Sequence, residues 1–78
     1  ASVALYPNPA SGAFRISVKG NMTKSEIQSV IVYGSNGEKV YHSENCPETV
    51  NIQGWPAGIY FVVFRKGDGQ FVKRLIVE

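Results

Sequence analysis

The sequence predicts an all-β protein, an immunoglobulin-like antiparallel β-sandwich of about seven strands. Three observations point there. Short runs of β-branched and aromatic residues recur along the whole 78-residue chain. Gly, Pro, Asn-Gly and Asp-Gly punctuate them, and these residues favour tight turns. Residues 14–18 alternate apolar and polar side chains, which is the pattern of a half-buried strand.

The elements follow in chain order. Val3 to Tyr6 forms a first strand, which Pro7 and Pro9 stop because proline donates nothing to a ladder. Phe14 to Val18 forms the second. Thr23 to Ser29 has slight helical tendency but is too short to stand alone as a helix. Residues 27–33 are rich in β-formers and make the third strand. Asn36-Gly37 readily takes the positive φ values of a type I′ turn, so residues 30–42 read as a hairpin. Thr49 to Ile52 is a short strand. Residues 59–65 form the next, Asp68-Gly69 supplies a tight turn, and residues 70–77 return.

The expected core is Phe14, Ile16, Val18, Val30, Val32, Val40, Ile52, Ile59, Phe61, Val63 and Leu75. Residues 59–64 are apolar on both faces, with Ile59, Phe61 and Val63 on one and Tyr60, Val62 and Phe64 on the other. One face fills the core. The second is covered by a loop or exposed as an interaction patch. No internal repeat or low-complexity segment interrupts the pattern.

Composition narrows the function. A chain of 78 residues makes one small domain, residues 1–78, with a modest core. The net charge is +2, and the basic residues Arg15, Lys19, Lys24, Lys39, Arg65, Lys66, Lys73 and Arg74 are scattered. A nucleic-acid binder concentrates them on a stripe. No apolar run is long enough for a transmembrane helix, so direct membrane insertion is not expected. Residues 1–20 lack a signal peptide's charged and apolar regions, and the chain begins without Met. It therefore reads as a piece of a longer protein. Cys46 is the only cysteine, so no internal disulfide forms.

Nothing in the titratable residues suggests an enzyme. His42 and Cys46 lie four apart, but no second Cys, second His or nearby Asp completes a metal site or a nucleophilic constellation. The expected catalytic, cofactor and metal sites are therefore none. The carboxylates Glu26, Glu38, Glu44, Glu48, Asp68 and Glu78 are few and far apart for paired acid–base chemistry. Gly67-Asp68-Gly69 leads to a strand, so it is a hairpin turn and not a phosphate cradle. Asn21-Met22-Thr23 matches a glycosylation sequon, a triplet common by chance.

Three segments carry a double reading. Tyr6-Pro7-Asn8-Pro9 makes a rigid turn ending an edge strand. Pro56-Ala57-Gly58-Ile59-Tyr60 is a loop entering a central strand, where the Tyr60 hydroxyl can bond nearby backbone as a sandwich-corner tyrosine. Trp55, just before it, reads as a partly buried packing residue ahead of a sugar-stacking platform. Lys73-Arg74 is either a charged pair that guards an edge strand or part of a strand that a partner reads by strand addition.

Two ends of the chain then make a joint signature. Leu5-Tyr6-Pro7-Asn8-Pro9 precedes Ser11-Gly12 and the alternating Phe14-Arg15-Ile16-Ser17-Val18. Pro56-Ala57-Gly58-Ile59-Tyr60-Phe61-Val62 and the closing Val72-Lys73-Arg74-Leu75-Ile76-Val77-Glu78 stand at the other end. Together they resemble the type A C-terminal sorting domain of the type IX secretion system of Bacteroidetes, over essentially the whole chain.

That resemblance implies a secretion signal with no catalysis of its own. The parent would be a secreted or cell-surface protein that passes through the periplasm, and the linked cargo would lie upstream. The partners implied are the outer-membrane translocon and a sortase-like peptidase that removes the domain, with cleavage near or before Ala1. The resemblance places translocon recognition on Gly58, Ile59, Tyr60, Phe61 and Val62, and on Val72, Lys73, Arg74, Leu75, Ile76, Val77 and Glu78. An exposed terminal strand also invites a strand-exchanged dimer. The rival reading is a fibronectin-like or carbohydrate-binding accessory module, with Trp55, Tyr33 and Tyr41 as stacking residues.

Overall fold

The computed structural model describes residues 2–20 and 22–78 and shows the expected β-sandwich. Asn21 of the sequon and the region at Ala1 lie outside the described residues. The strands are β1 (Ser2–Ser11), β2 (Ala13–Lys19), β3 (Ser29–Gly34), β4 (Lys39–Ser43), β5 (Thr49–Asn51), β6 (Gly58–Lys66) and β7 (Gly69–Val77). Three of them, in the order β1-β2-β5, form one antiparallel sheet. The other sheet runs β4-β3-β6-β7.

β1 belongs to both sheets. Ser2 to Tyr6 pair antiparallel with β2, and the register then shifts. Further on, Ala10 lies opposite Val77 in a parallel pairing with β7. Pro7 and Pro9 therefore end the β2 ladder without ending the strand, contrary to the expected stop at Tyr6. Lacking N–H groups, they mark the place where the chain leaves one sheet for the other.

Two hairpins differ from expectation in their turns. The β3–β4 hairpin exists, but Asn36 has no positive φ, and Gly37 alone takes +86°. The Gly37 N–H bonds the Gly34 carbonyl at 2.9 Å, and the Gly34 N–H bonds the Glu38 carbonyl at 2.8 Å. This is a turn closed by one left-handed glycine and followed by a bulge, not a type I′ turn. The β6–β7 turn lies at Gly67-Asp68, one residue before the expected pair, because Lys66 pairs with Gly69. Gly67 takes φ +60° in the first central position, where only glycine is at ease.

The segment at 23–29 yields a single 3-10 turn, Lys24–Glu26. The Glu26 side chain reaches back to the Thr23 N–H at 2.7 Å. Ile27 follows it into the core, so β3 begins at Ser29 and not at residue 27.

Phe14, Ile16, Val30, Val32, Ile52 and Leu75 are buried as expected. Val18 is only half-buried. The β6 assignment is inverted. Tyr60, Val62 and Phe64 face the core, while Ile59 and Phe61 are 43% and 38% exposed and Val63 is half-buried. Registry decides this. Val62 lies opposite Val32, Phe64 opposite Val30, and Tyr60 opposite Leu75, all of them buried partners. Val40 is also exposed, because the β3–β4 bulge gives the core-side position to Tyr41, opposite Val32. The core further takes in Val3, Leu5, Ala10, Met22, Ile27, Val50 and Val77.

Candidate functional site: the outer face of the terminal hairpin

The β6–β7 hairpin is built by alternation. Its inward residues Tyr60, Val62, Phe64, Leu75 and Val77 are buried, and Phe71 stacks on Phe64 with ring centroids 5.1 Å apart. A hairpin so anchored presents its outward residues on a fixed plane. Ile59 lies opposite Ile76, Phe61 opposite Arg74, and Val63 opposite Val72. On the other side, Ile31 and Tyr33 of β3 lie opposite Val63 and Phe61.

The result is a continuous apolar strip on solvent. Ile59, Phe61, Val72 and Ile76 are all large exposed hydrophobics. Single exposed apolar residues are ordinary, but a contiguous set across two strands marks an interaction surface. The charged residues at register positions on this face are basic. Arg74 sits opposite Phe61, Lys39 opposite Tyr33, and Arg65 opposite Ser29. Among the described residues, no carboxylate occupies a register position on this face.

The loop entering β6 is locked. The Tyr60 hydroxyl donates to the Pro56 carbonyl at 2.6 Å, and Trp55 packs against the Tyr60 ring at 5.3 Å. This is the expected corner tyrosine, and Trp55 is the expected half-buried packing residue. Gly58 is exposed, with φ +152°. An open cleft of about 280 Å³ lies beside it, lined by Gly34, Asn36, Val40, Pro56 and Ile59 among others.

The twelve residues of the sequence-predicted recognition set therefore divide. Gly58, Ile59, Phe61, Val72, Lys73, Arg74, Ile76 and Glu78 are exposed. Tyr60, Val62, Leu75 and Val77 are buried and can act only by holding the hairpin. Two residues outside that set belong to the same region. Asn8 bonds the backbone of β7 on its far edge, and Tyr33 extends the apolar strip. The proline-flanked Asn8 was visible as a motif, but its partners lie more than sixty residues away along the chain.

The other candidate groups do not converge. Among the described residues, no three His, Cys, Asp or Glu side chains could share a metal ion. The Cys46 thiol is half-buried in its loop, and burial pushes its pKa up against a smaller opposing effect of Lys24. That makes it a poor nucleophile. Tyr33 faces outward, while Tyr41 and Trp55 pack against the core. The three aromatics of the carbohydrate-binding reading thus form no common platform.

Comparison with known families decides the assignment. A family described as the secretion system C-terminal sorting domain matches residues 4–78. The chain belongs to this family. It is a type IX secretion sorting signal, and its role is to direct export across the outer membrane, toward the cell surface or the medium. The sorting domain accordingly interacts with the type IX machinery, and its family is not catalytic. No curated protein matches the chain.

Proposed function

We propose that the outer-membrane translocon reads this sorting domain on the outer face of β6 and β7. Residues 1–78 act as one appended unit, linked to a cargo upstream that crosses the periplasm before export. A sortase-like peptidase then removes the domain at a point upstream of the folded strands. The observation that carries this reading is the exposed strip of Ile59, Phe61, Val72 and Ile76 on the two strands that hold the family's terminal motifs. Exposed apolar side chains cost solubility, and a docking partner removes that cost. Burying four of them supplies a hydrophobic centre, and Arg74, opposite Phe61, supplies orientation.

The test is surface display of a reporter fused to residues 1–78 in a host with a working type IX system. Deleting residues 72–78 would also strip Leu75 and Val77 from the core, so point variants are cleaner. Phe61→Gln combined with Ile76→Gln should leave the domain folded and hold the reporter in the periplasm. Normal display of that variant would refute reading through this face.

A further inference from the structure

Asn8 sits where the peptide group of a neighbouring strand would sit. Its Nδ2 donates to the Arg74 carbonyl at 3.0 Å, and its Oδ1 accepts from the Ile76 N–H at 2.9 Å. These partners fix the amide's orientation, since only the NH2 can serve a carbonyl and only the oxygen can serve an N–H. Pro7 and Pro9 on either side have no N–H to offer, so the side chain does what the backbone cannot. Main-chain pairing resumes two residues on, where the Glu78 N–H donates to the Ala10 carbonyl at 2.9 Å.

In the other direction the described residues form no further β1–β7 pair, which leaves the edge open. The β1–β7 register consists of Ala10 opposite Val77, and β1 has by then left for the other sheet. Backbone groups alternate sides along an antiparallel strand. Since the Arg74 carbonyl and the Ile76 N–H face the β1 side, so do the Arg74 N–H and both backbone groups of Val72. β7 thus offers a short free edge that Asn8 cuts off at Arg74. Removing the Asn8 side chain would lengthen that edge to Ile76.

We propose that residues 70–76 of β7 form a docking edge for an extended acidic segment of a partner protein, and that the Asn8 carboxamide is the plug this segment displaces. Main-chain bonds along the edge supply affinity, and the flanking side chains select the partner. An added strand places successive side chains beside Arg74 on the outer face and Lys73 on the inner one. Both are exposed, and neither takes part in the ion pairs formed by the described residues. Opposite charges across strands attract and like charges repel. A second copy pairing through its own β7 would bring another Lys73 and Arg74 to the same edge. The charges therefore favour a different chain with two neighbouring carboxylates.

The experiment titrates the full 78-residue chain with a capped hexapeptide, Thr-Val-Glu-Glu-Val-Thr, and follows backbone amide shifts by NMR. Shifts should centre on the amides of Val72, Arg74 and Ile76. Asn8→Ala should bind about tenfold more tightly, the factor expected when the peptide no longer displaces one or two net hydrogen bonds. The matching peptide with Lys for Glu should not bind. Asn8→Ser keeps a hydroxyl for one partner but cannot span both, adds no charge against the acidic peptide, and should fall between. It decides the matter if the Ala variant loses amide dispersion. Equal affinity of variant and parent, shifts on β4 or β5 in place of β7, or no binding by a folded variant would each overturn the proposal. So would an Asn8→Ala dimer joined through β7 in light scattering, which would make the partner a second copy. None of these results depends on export, so the display test above stands or falls separately.

Discussion

On the inner side of β6, Tyr60, Val62 and Phe64 are almost wholly buried, while one residue away Ile59 and Phe61 stand in water. The side chains are of the same kind, and the strand gives each face the same backbone. What differs is what lies opposite. The inner face shares one core cluster with residues of β1, β2 and β5, while on the outer face Ile59, Phe61, Val72 and Ile76 all remain more than a third exposed. Hydrophobicity alone thus says that a residue benefits from burial, not who buries it. For the inner face the burying partner is the domain itself. For the outer face, the partner we propose is the export machinery.

That contrast can be broken most forcefully from the inside. Phe64→Ala removes a buried ring that stacks on Phe71, and such truncations cost about 3–5 kcal/mol. In a chain this short that consumes most of the net stability. Chemical denaturation should show the variant largely unfolded, and an intact unfolding transition would mean the core collapses around the gap. Tyr60→Phe is milder. It keeps the ring against Trp55 and deletes the 2.6 Å bond to Pro56, for an expected loss of about 1–2 kcal/mol. A midpoint unchanged from the parent would show that the corner bond is replaced by water at no cost.

The outer face should answer in the opposite sense. Phe61→Ser or Ile59→Ser removes a side chain that is partly exposed and pairs across strands, so stability should fall by only about 1 kcal/mol, well short of the loss at Phe64. Display of a fused reporter should nevertheless fall. Taken with Phe64→Ala, this pair separates holding the hairpin from presenting it. If Phe61→Ser unfolds the domain, the outer strip is structural after all.

How much of this was legible beforehand depends on how local the cause was. The strand runs, both hairpins and the corner role of Tyr60 could be read from the sequence, because turn chemistry and the spacing from Tyr60 to Pro56 are local. The inward face of β6 could not. Ile59, Phe61 and Val63 match Tyr60, Val62 and Phe64 in apolar character, and only the long-range register with Val30 and Val32 separates them. The Val40 bulge shifts its neighbours by one position and leaves no trace in composition. Pro7 and Pro9 look locally like a stop, whereas they mark a change of sheet, because their effect depends on where β7 runs. A doubly apolar strand implies either a covering loop or an outer strip, whereas the clasp at Asn8 joins residues more than sixty positions apart and leaves no local signal.

The smallest expected effect lies on the three-stranded sheet, away from the hairpin. Arg15 reaches Glu48 at 3.3 Å, and Lys24 reaches the same carboxylate at 3.7 Å. Both Arg15 and Glu48 side chains are more than half exposed, so water and salt screen the attraction. The backbone does more to hold this region, because the Ile16 N–H already bonds the Glu48 carbonyl at 3.0 Å whatever the side chain. Glu48→Gln should therefore shift stability by less than about 0.5 kcal/mol, and added salt should erase the difference. A larger loss that persists in high salt would mean that Glu48 orders its loop through more than charge. The contrast between faces would then have to include a polar anchor on the sheet that carries no exposed apolar strip.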